Sequence, residues 1–384
     1  MNYQLTNINN SDISIQSFNI ISFLIIIGSI MFIPAAYIIV AAFFIVQVKN
    51  LDLPKTDFFP LLYILLGIAS SNYKLISSIL GLMMLLCIYT FYLFSNNKVY
   101  FNIKKSVYII SLIVFIIGIL QYCSPQTIIP AKWIDTDVYN ISKRIYSTFF
   151  NPNIFGFYIN FIIILCSENF NFKKLNMEWI VYFTGVGCLI LTFSRTSWIS
   201  LILSLMISTI LDKKYLKHAL FTTSVIFMMN YYLKTGRTSI FNAVNDSSML
   251  YRLEIWKVSL NIFTDNFISG IGFGTLSKHV AVYSDTVSAN IEHTHNIYLQ
   301  ILVETGVLGA SFCTYMLYNI TKKLIIKMKG NNNAPWITAM TVLFMTLIHG
   351  IADSVPLSPQ IMMILCIYAG ILNNSYIGTK LRLT

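Results

Sequence analysis

The chain has 384 residues and a formal net charge of +11; 56% of its residues are hydrophobic and only 11% are charged. A soluble domain carries about 25% charged residues, so this composition predicts an all-α, polytopic membrane protein instead. The basic residues lie in short clusters between apolar runs, as in membrane loops, which argues against nucleic acid as a partner.

Apolar runs recur from end to end, and no linker rich in proline, glycine and serine divides them, which predicts one integral membrane domain over residues 1–384. About 20 apolar residues cross a bilayer as a helix, so we expect a bundle of about twelve spans. Pro34 interrupts the first long run, which fits either a helical hairpin or one kinked helix. The predicted spans are residues 17–32, 34–48, 58–72, 76–95, 106–122, 153–168, 177–193, 196–211, 217–233, 296–320, 335–350 and 358–374.

The lysines orient these spans. With both termini in the cytoplasm, most lysines fall in every second loop next to span ends, which is the positive-inside pattern. The opposite side keeps Arg144, Arg195, Arg237 and Arg252, which that pattern does not require. A planar guanidinium suits phosphate or carboxylate, so we expect an anion site on the outer face.

Three outer segments follow from this topology: residues 123–152, the turn FSRTSW around Arg195, and a long outer loop over 234–295. Loops of this length are usually functional or disordered. The third contains MLYRLEIWKVSLNIFTDN, which predicts an amphipathic helix along the membrane interface. Its apolar set is Leu250, Leu253, Ile255, Trp256, Leu260 and Ile262.

Two arginines on these segments are candidate binding residues. Arg195 lies between two apolar runs, where arginine usually marks a functional partner, although snorkelling at a span end is the alternative. Arg252 lies on the predicted loop helix, two residues before Glu254, and residues two apart on a helix do not face each other. Arg252 is therefore either a solvated residue or part of the anion site.

Glycines alternate in the segment GIGFG at 270–274. The spacing does not fit a dinucleotide site and predicts a compact turn that allows close backbone approach. Further along, in LIHGIADSVPLSP, His349 and Asp353 are four residues apart at another outer span end and are expected to support the same pocket.

The stretch IEHTHNIYLQILVETGVLGA at 291–310 carries the sharpest signal. A helix is predicted to begin near Asn296, which places His293 and His295 at its outer end. Histidine exchanges a proton near neutral pH. A metal site with a third ligand such as His279 is one alternative, and an interfacial pair without chemistry is another.

Glu304 lies two turns into the same helix. A buried carboxylate needs a partner, so we expect it to orient a histidine or an arginine, or to cap a glycine face at Gly306 and Gly309.

Over roughly residues 140–310 these features resemble the O-antigen ligase and O-antigen polymerase family of bacterial membrane glycosyltransferases. Arg195 in SRTSW and Arg252 in YRLEIW match the family's arginines, and RIYSTFFNPN at 144–153 resembles a further element, whereas His293 is a departure. After the glycine-rich turn, the matching positions are His295, Asn296, Leu299, Glu304, Gly306 and Gly309.

The resemblance implies transfer of a glycan from an undecaprenyl-diphosphate-linked donor to an acceptor hydroxyl, at the periplasmic face of the bacterial inner membrane. It implies that His295 is the general base, with His293 as the alternative, and that Arg195 and Arg252 hold the diphosphate. The supporting residues are Arg144, His293, Asn296 and Glu304. Neither a metal nor a cofactor is expected; the partners are the lipid-linked glycan, the acceptor and membrane lipids.

Two alternatives to this function stay open. A polymerase joins repeat units, whereas a ligase moves finished chains onto lipid A-core, and the compact chain favours the polymerase. A transporter or flippase of lipid-linked sugars is the alternative from another class. The transporter is disfavoured because the sequence shows no internal repeat and because the charges of this chain gather on one face.

Overall fold

A computed structural model describes residues 5–47, 59–97, 99, 102–125, 130, 134, 143–168, 176–233, 247–330 and 333–374. These residues form α-helices and short turns without any strand, which confirms the all-α class. Arg237, the first part of the long outer loop (234–246) and most of residues 126–142 within the predicted segment 123–152 lie outside the described residues.

Each predicted span contains a helix. Three described helices, α4, α5 and α12, are long and apolar enough to cross a membrane by length and composition, and further apolar helices are shorter. The count of twelve spans therefore stays a prediction. The helices are α1 (Leu5–Met31), α2 (Ile33–Gln47), α3 (Phe59–Ala69), α4 (Lys74–Asn96), α5 (Ile103–Cys123), α6 (Pro152–Ser167), α7 (Met177–Leu191), α8 (Arg195–Leu211), α9 (Lys214–Leu233), α10 (Ser247–Asp265), α11 (Leu276–Tyr283), α12 (Ile297–Met328), α13 (Ala334–Gly350) and α14 (Pro359–Asn373).

The helices pack into two compact units, and the prediction of a single membrane domain stays untested. The first unit comprises residues 1–56, 82–111 and 359–384, and the second comprises 57–81 and 112–358. All the candidate residues of the sequence analysis that the structure describes belong to the second unit.

In the first unit, α1 and α2 form a helical hairpin about Phe32. The rings of Phe18 and Phe43, far from the turn on either side, lie with centroids 6.3 Å apart. Near the turn, Gly28 packs against the backbone of Ala36. The hairpin alternative is therefore the correct one for the run that Pro34 interrupts.

In the second unit, α8 presents a stripe of small residues to α6 and α13. Small side chains let helices approach closely, and polar contacts then fix the approach. Asn160 of α6 donates from Nδ2 to the carbonyl oxygen of Ser197 at 2.7 Å. The Ser208 hydroxyl lies 2.6 Å from the hydroxyl of Thr341 on α13. The buried serines of the stripe are Ser197, Ser200, Ser204 and Ser208.

From residue 247 onward the long outer loop is folded. Its helices α10 and α11 share a hydrophobic core with the start of α12. Of the predicted apolar set, Ile255 and Ile262 lie in this core, whereas Leu250, Leu253 and Leu260 are 45–50% exposed. The loop helix therefore has a core face and a separate exposed leucine face. The core comprises Ile255, Val258, Ile262, Ile271, Leu276, Val280, Val287, Leu299 and Val303.

The glycine-rich segment is a compact turn against α12, as the spacing predicts. Gly270, Gly272 and Gly274 all have positive φ. The turn hydrogen-bonds to α12 through its backbone: Gly272 donates its N–H to the carbonyl oxygen of Glu304 at 2.8 Å. At this contact α12 is interrupted by Gly306, whose φ of 60° and ψ of −165° are not helical.

Gly306 allows the turn and α12 to touch backbone to backbone. A Cβ at this position would overlap the carbonyl group of Ile268, and its backbone conformation is one that essentially only glycine adopts.

We predict that Gly306→Ala lowers the free energy of unfolding by about 2 kcal/mol or more, because strain and steric overlap add. Thermal unfolding of the purified protein in detergent measures this. Gly187→Ala is the matched control, since a Cβ there meets nothing within 4 Å; an equal loss in both variants would contradict the explanation.

Candidate active site

Two arginines from distant parts of the chain line one cavity of about 270 Å³. Arg195 comes from α8 and Arg252 from α10, as the prediction of a shared anion site requires. None of the lining residues that the structure describes carries a carboxylate. The other lining residues are Thr196, Ile199, Leu203, Ser248, Met249, Ile348, Ile351 and Ala352.

The start of α8 places Arg195 at the cavity. Phe193 has a left-handed φ of 48° and Ser194 is extended, so the chain turns sharply between α7 and α8. Arg195 is the first residue of the helix. The first N–H groups of a helix lack partners within the helix and carry partial positive charge. The helix end and the guanidinium group therefore both favour an anion here.

The hydrophobic core under α10 places Arg252. Ile255 and Val258 anchor one side of this helix in that core, while Arg252 and Met249 line the cavity. Most other lining side chains are apolar. Two guanidinium groups beside an apolar wall suit a ligand with an anionic head and a hydrocarbon tail.

His295 forms a pair with a buried carboxylate next to this cavity. Ile351 and Ala352 line the cavity, and the following residue, Asp353, has Oδ1 3.5 Å from Nδ1 of His295. The Asp353 side chain is 3% exposed and the His295 side chain is 25% exposed. This distance is long for a hydrogen bond. His295 also has a left-handed φ of 54°, which is uncommon outside glycine and recurs at functional sites.

A relay of polar groups holds the Asp353 carboxylate. Asn153 donates from Nδ2 to Asp353 Oδ2 at 2.7 Å. In turn, Arg144 donates from a terminal guanidinium nitrogen to Asn153 Oδ1 at 3.0 Å, and from Nε to the carbonyl oxygen of Thr192 at 2.9 Å. Arg144 therefore supports the site through Asn153 and is not among the cavity-lining residues.

Local sequence fixes the position of Asn153. Asn151 caps α6 by accepting a hydrogen bond from the N–H of Asn153, and Pro152 occupies the first helical turn. Asparagine at the cap and proline just after it are typical of helix starts. The segment RIYSTFFNPN thus brings its last residue, Asn153, to the Asp353 carboxylate, and its first residue, Arg144, to Asn153.

The surroundings of Asp353 and His293 set their protonation. Burial would raise the pKa of Asp353, but its contact with His295, together with the charges of Arg252 and His349, holds that pKa well below its usual range. Burial, followed by the neighbouring His295, lowers the pKa of His293. Asp353 is therefore a carboxylate and His293 a neutral imidazole at neutral pH.

Thr294, directly before His295, is held on both sides of its backbone. Its N–H donates to Gln300 Oε1 at 2.7 Å, and its carbonyl oxygen accepts from Trp256 Nε1 at 3.0 Å. Trp256 belongs to α10 and Gln300 to α12. These two bonds fix the histidine segment between the helix that carries Arg252 and the helix that follows His295.

Glu304 extends this arrangement. Its Oε1 accepts from Gln300 Nε2 and from the N–H of Gly274, each at 2.7 Å. The sequence analysis proposed a histidine, an arginine or a glycine face at Gly306 and Gly309 for Glu304, whereas the observed partners are Gln300 and the backbone of Gly274. Through Gln300, Glu304 is connected to Thr294, the residue before His295.

Asn296 begins α12, as predicted. Its Oδ1 accepts from the N–H of Leu299 at 3.0 Å, and its Nδ2 donates to the carbonyl oxygen of Ile351 at 3.0 Å. The second bond ties the histidine segment to the cavity wall.

His349 has a different position from its predicted companion Asp353. It is fully buried on α13, and its Nε2 lies 3.3 Å from the hydroxyl of Ser197 on α8. Because α13 ends at Gly350, Asp353 lies beyond the helix. His349 supports the site by joining α13 to α8.

Three side chains could hold a metal ion. One ligand atom each from His293, His295 and Asp353 lie within 4.8 Å of one another. His279, considered from sequence as a third ligand, is not in this group; its Nδ1 lies 2.9 Å from the carbonyl oxygen of Thr275. Asp353 takes the place that the sequence analysis gave to His279.

The structure thus brings Arg195 and Arg252 to one cavity and His293, His295 and Asn296 to its edge. Sequence reasoning missed Asn153 and Gln300. Asn153 ends a family-like element, which was a usable signal, whereas nothing in the local sequence marks Gln300.

A family model described as O-antigen ligase matches residues 180–313, about a third of the chain. The match confirms the resemblance on which the sequence analysis relied. A search of curated proteins finds no match.

Proposed function

We propose that this chain, which carries an O-antigen ligase family region, is a membrane glycosyltransferase that uses an undecaprenyl-diphosphate-linked glycan as donor and acts on the periplasmic face of the bacterial inner membrane. The family match and the apolar helices support a glycosyl-transferring membrane enzyme in general terms. The observation that carries the proposal is the shared cavity of Arg195 and Arg252 beside the pair of His295 and Asp353.

The cavity suits the diphosphate of the donor. Negative charge gathers on this leaving group as the glycosidic bond to phosphate breaks. Arg195, Arg252 and the start of α8 would stabilise that charge beside a mostly apolar wall. The apolar wall, which includes Ile199 and Leu203, would accept the first part of the lipid tail.

His295 would act as the general base for the acceptor hydroxyl. The neutral ring would carry its proton on Nδ1, which faces Asp353, and keep an accepting lone pair on Nε2. The acceptor oxygen gives its proton to His295 and bonds to the anomeric carbon, and the bond from that carbon to the diphosphate oxygen breaks. Asp353 would stabilise the imidazolium that forms.

In this mechanism side chains supply the positive charge that the leaving group needs. Two guanidinium groups supply it, so the step proceeds without a catalytic metal or a cofactor. A transporter of the same lipids would also need an anion site and could use a carboxylate and a histidine as a proton relay. The match to the O-antigen ligase family model favours an enzyme over a flippase.

We favour an O-antigen polymerase over a ligase for lipid A-core. A ligase must admit the large core saccharide as acceptor, whereas a polymerase accepts a repeat unit on a lipid carrier. The chain is compact, and its long outer loop, where it is described, packs against the start of α12, which favours the smaller acceptor.

We predict that His295→Ala lowers glycan transfer by about 100-fold or more, because no base remains. Asp353→Asn should cause a loss of similar order, since the neutral amide cannot stabilise the imidazolium. The measurement is transfer from a purified lipid-linked donor by protein in detergent. His279→Ala is the matched control and should keep the wild-type rate; full activity of His295→Ala would refute the role of the base.

A second prediction concerns the diphosphate. Arg195→Lys keeps the charge but loses the planar fork, so we expect transfer to fall by about 10- to 100-fold. Lys257→Ala removes an exposed charge from α10 outside the cavity and should change transfer little. Equal rates for Arg195→Lys and the wild type would contradict the bidentate contact.

A third prediction separates the polymerase from the ligase. A strain that lacks the gene should carry single repeat units on lipid A-core, because ligation continues without polymerisation. The glycan profile on a gel checks this. Long polymer stranded on the carrier lipid would identify a ligase instead.

A further inference from the structure

His293 has no role in the proposed transfer reaction, yet it packs against the base. The rings of His293 and His295 lie with centroids 4.4 Å apart. Together with Asp353 these residues place three ligand atoms within 4.8 Å of one another. Two imidazoles and a carboxylate are a ligand set that zinc uses in proteins.

The distance between His295 and Asp353 fits joint binding of a metal. Nδ1 of His295 lies 3.5 Å from Oδ1 of Asp353, and this buried nitrogen makes no hydrogen bond among the described residues. In a tetrahedral site with bonds of about 2.0–2.1 Å, two ligand atoms are about 3.3–3.4 Å apart. A shift of a few tenths of an ångström would bring the two atoms to this ligand–ligand distance.

The carboxylate is already oriented for such a bond. Asn153 holds Oδ2 of Asp353, and the N–H of Ser354 donates to Oδ1 at 2.8 Å, which leaves Oδ1 one accepting site. Outer hydrogen bonds of this kind position the ligands of metal sites.

Two carboxylates near His293 favour a cation. Asp353 and Glu292 act on His293 in that direction, whereas Arg252, and His295 when it is protonated, oppose it. The histidine segment itself is fixed by the bonds of Gln300 and Trp256 to Thr294. The ligands therefore need little reorganisation.

We propose that His293, His295 and Asp353 form a binding site for a divalent transition-metal ion of the zinc type, and that the bound ion inhibits the enzyme. The second half rests on the proposed function: the metal ties His295 to Asp353 and withdraws the histidine from proton transfer. The three protein ligands leave a fourth position for water.

Binding is tested first, without any glycan substrate. The full chain in detergent is stripped with a chelator and titrated with Zn²⁺ at pH 7.5 by calorimetry. We expect one equivalent to bind, and both His293→Asn and Asp353→Asn to weaken binding by at least about 10-fold. His279→Ala is the matched control and should bind like the wild type, and Mg²⁺ should not compete.

The thermal shift gives an independent readout. Zn²⁺ should raise the unfolding temperature of the wild type and of His279→Ala, but not that of His293→Asn, because only binding to the folded state stabilises. A variant that unfolds before titration is replaced by His293→Gln. Equal affinity in the wild type and in a folded His293 variant would overturn the site.

Inhibition is tested next, in the transfer assay. Zn²⁺ should reduce transfer by the wild type, and the remaining activity of His293→Asn should need at least about 10-fold more Zn²⁺ for the same fractional loss. Activity that falls with chelator and returns with Zn²⁺ would show a catalytic metal and overturn the inhibitory role. Zinc binding in a protein without transfer activity would refute only the proposed function, and transfer without zinc binding only the metal site.

Discussion

The buried carboxylate of Asp353 is the group on which the candidate site depends. A charge away from water must be paired or hydrogen-bonded, and removal of one partner is costly. Asp353 meets this requirement through His295 on one oxygen and Asn153 on the other, and Asn153 is in turn held by Arg144. Segments about 200 residues apart are thereby fixed at one point beside the cavity. The contact with His295 that lowers the pKa of Asp353 also joins the carboxylate to the proposed base, so the stability and the proposed chemistry of the site have a common origin.

The outer loop reaches its position through backbone contacts with α12. The glycine-rich turn lies directly on the helix where Gly306 interrupts it, and Glu304 accepts from both Gly274 and Gln300. Gln300 then holds Thr294, and Trp256 of α10 holds the opposite side of that residue. The elements that carry Arg252 and His295 thus share one connected set of hydrogen bonds. Changes at the glycines therefore act on the site at a distance.

Much of this could be predicted from the sequence because it depends on local patterns. Apolar runs predicted the helices, Asn296 was the expected start of α12, and alternating glycines indicated a close turn. Outer arginines pointed to an anion site because the positive-inside rule left them unexplained. Partners that meet only in the folded chain could not be predicted so directly. Spacing relates residues on one helix, but Asp353 lies past the end of α13 and finds Asn153 across the unit. His279 has the residue type of a metal ligand, yet its helix α11 places it elsewhere.

Under the two proposals the pair of His295 and Asp353 serves two chemistries, because a proton and a metal ion use the same lone pairs. The 3.5 Å between His295 Nδ1 and Asp353 Oδ1 allows an electrostatic contact but not a short hydrogen bond, so this nitrogen can take a proton or a metal ion. Arg252 affects metal binding, since its positive charge disfavours a cation at His293 and Asp353. A diphosphate on Arg252 would neutralise that charge and attract a divalent ion to the site. The hydrogen bonds from Arg144 to Asn153 and from Asn153 to Asp353 lower the affinity for a metal ion. A carboxylate that accepts a hydrogen bond is a weaker metal ligand. Metal occupancy at the proposed base would therefore depend on the anion that Arg252 holds.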